Sequence, residues 1–449
     1  MVEYHVKQAW TLAIETMSWI DQKNTNTQTA LERATRLLGI DDDRVVASAN
    51  RLVRETLNRR NFIDKIIENS LAPAAPTLDR LNLRVLSFLR LFTYQTKFSE
   101  DGETQGLDLA NLGRAVLGWQ TIKPAEETLG RILAAKMSTI LDKVEESERI
   151  SFETFHPKWF VDYCIKVFGK EETLKLLRKN LEPPPTYVRL NTLKEKEEEI
   201  LSQFSASGVV LEKVENIRFL YKIVRKRMPL VKLKAYSDGL FFIEDKSSCI
   251  PVEVGDPQPG SVVLDVCAAP GTKTTHIAQL MQNRGDIISI DYSPNRTRVL
   301  KQELCRSGVG ISDIIVCDAR IPLPVNFEAD LVLLDPPCSG TGAFWRMPTS
   351  KWRTDIMTVR NIADVQRLIL KSSAEHVKKG GKLVYSTTSI TLEENEMVID
   401  RFLKEHLEFS LEITEPRIGA PALNQRGSQR TYTHIHEANG SYTAKLFRD

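Results

Sequence analysis

Long apolar runs are missing from this chain. Nothing approaches the roughly 18 consecutive apolar residues of a membrane span, and the opening Met1-Val2-Glu3-Tyr4-His5 has neither the basic nor the apolar stretch of a secretory leader. A soluble, unsecreted, cytoplasmic protein with no membrane partner is expected. Cysteine is scarce and dispersed. The six cysteines (Cys164, Cys249, Cys267, Cys305, Cys317, Cys338) form no Cys-x-x-Cys and no Cys/His cluster at metal-ligand spacing, which excludes a disulfide-stapled miniature and argues against a bound metal. An excess of one charge is also lacking, with 61 Lys+Arg against 59 Asp+Glu. Such a balance neither implies nor excludes nucleic acid, because an average hides local faces.

What is present is a chain of 449 residues, 42% hydrophobic and 27% charged, enough for two or three domains with real cores. The first third has helical periodicity. Val6, Ala9, Trp10, Ala13, Met17 and Ile20, and then Leu78, Leu81, Val85, Phe88, Leu89 and Phe92, keep the three-and-four spacing of a buried helix face. Breakers separate the helices at Asn24 to Thr29, Ala72 to Thr77 and Ser99 to Gly106. A helical stretch starts near Phe155 to Trp159, the triplet Pro183-Pro184-Pro185 punctuates the chain, and Tyr187 to Leu190 reads as a strand. From Ile217 to Tyr236 there is no acidic residue, while Arg218, Lys222, Arg225, Lys226, Arg227, Lys232 and Lys234 alternate in part with Phe219, Tyr221 and apolar residues. A strand pair of that kind suits a phosphate backbone with stacked bases; a solvated sheet face is the equal alternative.

After Gly255 the texture becomes strands alternating with helices. Val262 to Leu264, Ile287 to Ile290, Ile314 to Val316, Leu331 to Leu334 and Lys382 to Tyr385 are short, apolar and mostly β-branched, which predicts a doubly wound parallel sheet. Ligands bind at the carboxyl ends of such strands, where Asp291, Asp318 and Asp335 stand. The first strand runs into Cys267-Ala268-Ala269-Pro270-Gly271-Thr272-Lys273, a small-residue turn opening a helix. It matches neither G-x-x-x-x-G-K-[ST] nor G-x-G-x-x-G, which disfavours a nucleoside triphosphate or a dinucleotide. Three strand-end carboxylates beside a helix N-terminus favour an adenosine-containing cofactor.

These residues carry a resemblance. Cys267 to Lys273, Asp291, Asp318, the block Asp335-Pro336-Pro337-Cys338-Ser339-Gly340-Thr341-Gly342 and Glu393-Glu394-Asn395 together closely resemble the Sun/Fmu family of S-adenosylmethionine-dependent RNA cytosine methyltransferases. The helical first third looks like the NusB-like domain of bacterial small-subunit rRNA methyltransferase B, and Arg189-Leu190-Asn191 with Asp245 to Ser248 resembles its RNA-binding middle. The resemblance implies a Rossmann-like class I methyltransferase domain at 251–449. Before it come an all-α NusB-like RNA-binding or docking domain at 1–147 and a small α/β RNA-binding module with linker at 148–250. It further implies that Cys267, Ala268, Ala269, Pro270, Gly271, Thr272 and Lys273 line the methionine end of S-adenosylmethionine. Asp291 then holds the ribose, Asp318 sits by the adenine, and Asp335 faces both cofactor and base. Arg189, Asn191, Arg225, Lys226, Arg227, Arg346 and Lys351 are the expected RNA contacts of a monomer acting on ribosomal RNA or a ribosomal subunit precursor.

One departure redirects the chemistry. The family carries its nucleophilic cysteine in a Thr-Cys-Ser triplet after the fifth strand; here the triplet is Thr387-Thr388-Ser389. C5 of cytosine becomes nucleophilic only after thiolate addition at C6, and a threonine hydroxyl does not replace a thiolate. Asp335-Pro336-Pro337-Cys338, however, resembles the (Asp/Asn/Ser)-Pro-Pro-aromatic motif of exocyclic-amino methyltransferases. In that motif a carboxylate and the following backbone carbonyl accept from the amino group, and transfer is in line, without a covalent step. Cytosine N4, receiving one methyl or two, is therefore the preferred target atom, with Asp335 and Pro336 as acceptors. Phe344 or Trp345 would replace the missing aromatic. Alternatives are a C5-methyltransferase using Cys338 as nucleophile and a non-catalytic RNA-binding assembly factor. Asn439-Gly440-Ser441-Tyr442, where the family has Asp-Gly-Phe-Phe, and a strand-like Thr433 to His436 complete the reading.

Overall fold

The computed structural model describes residues 2–73, 76–100, 105–347 and 349–449. The breakers expected at Ala72 to Thr77 and Ser99 to Gly106 fall partly on 74–75 and 101–104, outside the described residues. Two compact units are present, Met1–Leu181 with Met347–Arg353, and Glu182–Arg346 with Thr354–Asp449.

The first unit is helical. Helices Val2–Lys23, Asp43–Asn58, Arg60–Ser70, Leu83–Phe98 and Glu126–Ala134 bury Trp10, Ile14, Val53, Ile63, Phe88 and Phe92 in one core. Asn26, Asp42 and Asn82 each cap a helix by accepting a backbone N–H with the side-chain oxygen. The two apolar faces read from sequence are inside with the exceptions of Val6, which is exposed, and Leu78, which is half-buried. Arg90 is buried among these helices because Asp21 and Asp64 both accept from its guanidinium.

The second unit has two sheets. In the smaller one, β1 (Tyr187–Leu190), β2 (Val210–Lys213), β3 (Leu220–Arg225) and β4 (Phe241–Glu244) lie antiparallel in the order β2-β3-β1-β4. The acid-free stretch is one strand, not a pair: beyond Arg225 the chain turns into short helical segments at Leu230–Lys232 and Lys234–Ser237. Its Tyr221 is buried, so that ring cannot stack bases.

The larger sheet is formed by β5 (Val262–Val266), β6 (Asp286–Asp291), β7 (Ser312–Val316), β8 (Ala329–Leu334), β9 (Val377–Thr387), β10 (Phe409–Glu412), β11 (Ala420–Ala422), β12 (Gln425–Thr431) and β13 (Ser441–Arg448). Its order is β11-β12-β13-β9-β8-β5-β6-β7, with β10 on β13. The five strands from β9 to β7 are parallel as expected, but β10 to β13 add antiparallel pairing, so the sheet is mixed. Strand order reverses between β5 and β8, and the crevice beyond their carboxyl ends is where such a sheet takes its ligand. Thr433–His436 is a helical turn rather than a strand, with His436 Nδ1 accepting from the Tyr432 N–H. Among the described residues no group of His, Cys, Asp or Glu is placed to hold a metal, and no helix is long and apolar enough to cross a membrane.

Candidate active site

The loop after β5 is shaped for close approach. Cys267 takes a positive φ of 66°, Gly271 a φ of 111°, and a Cβ on Gly271 would lie 2.7 Å from Leu300 Cδ1. Only glycine satisfies both demands. Helix Thr272–Leu280 then starts with its N-terminus at the crevice. At the end of β6, Asp291 accepts from the backbone N–H groups of Ala269 (3.3 Å) and Ser293 (3.0 Å) and pairs with Arg296 at 3.3 Å. Asp318, after β7, is half-buried and gripped by Arg320, whose hydrogen bonds hold its carboxyl below the usual carboxylate range. Cys267, Asp291, Tyr292, Asp318, Pro337 and Ile369 line one cavity of about 290 Å³.

That cavity suits S-adenosylmethionine on its donor set. Two strand-end carboxylates can receive hydroxyl or amino hydrogens, and Ile290, Val365 and Ile369 supply apolar walls for a flat ring. Beside it, Asp265 is buried with Oδ2 accepting from Thr274 Oγ1 at 2.6 Å and Oδ1 left without a partner among the described residues. Burial pushes its carboxyl up to about 7.

Asp335 follows β8. Its Oδ2 lies 2.5 Å from Lys273 Nζ, and its Oδ1 accepts from Ser386 Oγ at 2.9 Å. Burial draws the Lys273 ammonium down, but the Asp335 carboxylate more than offsets this and holds it above its ordinary value. A carboxylate has about four lone-pair positions, so two remain for a substrate. Among the described residues the Pro336 carbonyl accepts no hydrogen bond, whereas the Pro337 carbonyl is taken by Gln366 Nε2 at 2.9 Å. The Cys338 sulfur receives the backbone N–H groups of Gly340 and Thr388. Burial, with Glu394 and Asp335 nearby, pushes its thiol up to about 12, so at neutral pH it is protonated. Thr388 therefore adjoins Cys338 at the end of β9 and is half-buried.

Two further contacts pin this loop. The Gly342 N–H donates to Thr388 O at 3.2 Å, the Gly440 N–H donates to Gly342 O at 2.8 Å, and a Cβ on Gly342 would lie 1.8 Å from Gly440 O. The Asn439 side-chain oxygen accepts from Trp345 Nε1 at 2.6 Å and from Arg346 Nε at 3.2 Å.

The expected RNA contacts divide. Arg225, Lys226 and Arg227 are exposed, consistent with that use. Arg189 and Asn191 are buried, and the RNA role expected of them is corrected. Arg189 bonds Glu244 at 2.5 Å, Gln279, and Thr275 Oγ1 at 2.9 Å, tying the smaller sheet to the helix that opens at the cofactor loop. Asn191 Nδ2 donates to the carbonyls of Gly239 and Ser307. Arg346 is likewise spent on Asp245 (2.9 Å) and Pro185 O (2.7 Å). Lys351 is buried in the first unit, where its Nζ donates to Asn58 Oδ1 at 3.0 Å. Phe344 and Trp345 are buried too, so neither face is open to a base.

Sequence reasoning assigned no role to Glu394, Gln366 or Ser386, all of which hold the Asp335–Cys338 loop. The only signal was the Glu393-Glu394-Asn395 run.

Against known proteins, the family described as 16S rRNA methyltransferase RsmB/F matches residues 252–447, and a ferredoxin-like domain of RsmF/B-like methyltransferases matches 156–218. A Bacillus subtilis protein named probable ribosomal RNA small subunit methyltransferase B is 30% identical over 367 residues, covering 81% of each chain. The chain belongs to the RsmB/F family of S-adenosylmethionine-dependent methyltransferases. Another relative, the tRNA (cytosine(72)-C(5))-methyltransferase of Pyrococcus horikoshii, is 36% identical over 220 residues, 48% of this chain and 54% of its own. Among solved structures, PH0851 superposes with a TM-score of 0.83 at 27% identity, covering 98% of both chains. NSun6 from Pyrococcus horikoshii with SFG, a cofactor analogue, does so at 0.61 and 26% identity, over 65% of this chain and 98% of its own.

Proposed function

We propose that this family member methylates the exocyclic N4 of a cytidine in small-subunit ribosomal RNA, once or twice, by direct in-line transfer. The observation that carries the reading is Thr388: where a C5 enzyme needs a thiolate, the loop after β9 offers a hydroxyl, and the neighbouring thiol of Cys338 stays protonated at neutral pH. The cofactor, when bound, supplies an electrophilic methyl sulfonium. The chain's own residues do the rest. Asp335, fixed by Lys273 and Ser386, accepts one N4 hydrogen and takes up the proton that N4 loses as the methyl bond forms, and the open carbonyl of Pro336 accepts the other hydrogen. Both bonds draw the nitrogen lone pair out of conjugation with the ring. Positioning of that kind needs no nucleophile. The target cytidine has to leave its stack to reach the crevice, which favours a loop or single-stranded site. Exposed Arg225, Lys226 and Arg227 support a backbone-holding role for the smaller sheet, and residues 1–147 one as a docking domain, in a cytoplasmic monomer. Several curated relatives are named cytosine-C5 methyltransferases of rRNA or tRNA, which supports the competing reading, in which Cys338 is recruited as nucleophile.

Nucleoside mass spectrometry after incubating small-subunit RNA with the protein and methyl-labelled S-adenosylmethionine separates the readings. Label in N4-methylated cytidine is expected, and Asp335→Ala should abolish it. Label confined to 5-methylcytidine sinks the proposal, and no label at all in any RNA favours a binding factor.

A further inference from the structure

In the helical unit, Lys65, Arg131, Lys136 and Lys143 open onto one groove of about 760 Å³, and no carboxylate lines it. The remaining lining is polar at Asn69, Ser70 and Thr139 and apolar at Ala134, Ala135, Ile140 and Val144, and it holds no aromatic ring. Three elements set the groove. Helix Arg60–Ser70 presents Lys65 and Asn69 one turn apart on the same face. Helix Glu126–Ala134 brings Arg131 in its last turn, and Lys136 and Lys143 flank the short helix Met137–Leu141. The walls are tied together. The Ala72 N–H donates to Thr128 Oγ1, the Arg131 guanidinium donates to Leu71 O, and Lys97 Nζ donates to Leu133 O at 2.8 Å. Elsewhere in this unit Lys158 is neutralised at short range by Asp162, Lys170 by Glu146, and Lys175 by Glu171 and Glu172. Of the groove cations only Arg131 has such a partner, Glu127, at 3.0 Å, and among the described residues Lys65, Lys136 and Lys143 have none.

Converging like charges cost the fold and are tolerated where a polyanion neutralises them. We infer that this groove binds the phosphate backbone of the RNA substrate as a second, sequence-indifferent anchor in the helical unit, separate from the basic strand end at Arg225 to Arg227. The inference rests on the RNA reading above. RNA is favoured over an acidic protein because the lining offers four cations and small hydrogen-bond donors but no aromatic ring, and its larger apolar side chains, Ile140 and Val144, are packed into the helical core, which leaves no pocket for a protein side chain to anchor. With no ring to stack on, the groove reads phosphates and not bases.

The test uses the full chain and a long fragment of small-subunit rRNA, with binding followed by fluorescence anisotropy from low to moderate salt. Each lost phosphate contact reduces the slope of log affinity against log salt by about 0.7–0.9. The triple variant Lys65→Gln, Lys136→Gln, Lys143→Gln should therefore flatten that slope by about 2. Lys→Arg at the same sites should restore it, and Lys158→Gln with Lys170→Gln should leave it nearly unchanged. Circular dichroism melting confirms that each variant folds. An unchanged slope in the groove variant overturns the inference, as does a variant that keeps RNA affinity but loses affinity for poly-glutamate. Because the readout is binding, a wild-type protein that yields no N4-methylated cytidine overturns the functional proposal without touching this one.

Discussion

Cys338 and Thr388 meet at one point, and their protonation chemistry decides what the centre can do. A thiol pushed up to about 12 is protonated throughout the neutral range, so a rate that depended on its thiolate would rise tenfold per pH unit from pH 6.5 to 9. The expected profile of kcat/KM is instead free of such a rise, and Cys338→Ala should keep at least a tenth of wild-type N4 transfer; a log-linear climb, or complete loss in the variant, would reinstate the thiolate. Thr388→Cys tests the same point from the other side. It places a second sulfur where the Cys338 sulfur accepts the residue-388 N–H, and new 5-methylcytidine alongside N4 product is the expected outcome by nucleoside mass spectrometry. At this scale the sequence was informative about acids and poor about bases. Asp335 and Lys273, both named from their motifs, meet at 2.5 Å. Arg189 was misread because its partners Glu244 and Gln279 lie 55 and 90 residues away, and nothing local reveals that a cation will be spent inside the fold.

Between elements, the loops after β8 and β9 are held by one buried carboxylate. Glu394 accepts from the Ser339 N–H (2.7 Å), Ser339 Oγ (2.5 Å), Ser389 Oγ (2.6 Å), Thr391 Oγ1 (2.8 Å) and Gln366 Nε2 (3.2 Å), with no cation paired to it among the described residues. A buried charge without a counter-ion persists only when hydrogen bonds saturate it. Glu394→Ala strands several buried donors and should cost about 3 kcal/mol or more of stability, with kcat falling steeply because the loop carrying Asp335 to Cys338 loses its brace. Glu394→Gln keeps an acceptor for the Ser339 N–H, and the hydroxyls can rotate to accept from its amide. It should fold and lose kcat with little change in the KM for S-adenosylmethionine. Equal losses in both parameters would mean the brace serves the cofactor loop instead. The strands were legible because parallel β5 to β9 are apolar on both faces. The antiparallel edge was not, since β12 (Gln425-Arg426-Gly427-Ser428-Gln429-Arg430-Thr431) is polar and buries Arg430 by pairing it with Glu396 and letting it donate to the carbonyls of Ile390 and Thr391.

Over the whole molecule, the chain does not partition at simple cut points, because Met347–Arg353, sequentially inside the catalytic half, belongs to the helical unit. Hydropathy periodicity reports local faces and gives no sign that seven residues will join a core nearly 300 positions upstream. Their anchor is costly. Lys351 is buried against Asn58, its ammonium lies 5.1 Å from the Trp352 ring centre, and Trp352 Nε1 donates to Leu57 O at 2.5 Å. The charged and titratable groups felt by this site are Arg59, itself paired with Glu55 at 2.5 Å, and His156. Burial first, and Arg59 second, lower the Lys351 ammonium to about 7. In the unfolded chain the same lysine holds its proton to about 10.4. Between those values the unfolded state binds more protons, so the stability of this region rises with pH from about 7 to about 10. His156, buried and held well below its ordinary value, acts in the same direction at more acidic pH. Lys351→Met should stabilise the region at pH 7 by about 1–3 kcal/mol. It should also remove most of the pH dependence above neutrality. Hydrogen exchange at the C-terminal amides of helix Asp43–Asn58, corrected for intrinsic rates at pH 7 and 9.5, reads this locally. Protection that climbs with pH in the wild type and stays level in the variant is the expected pair of results, and parallel slopes in the two proteins would show that Lys351 is not the titrating group.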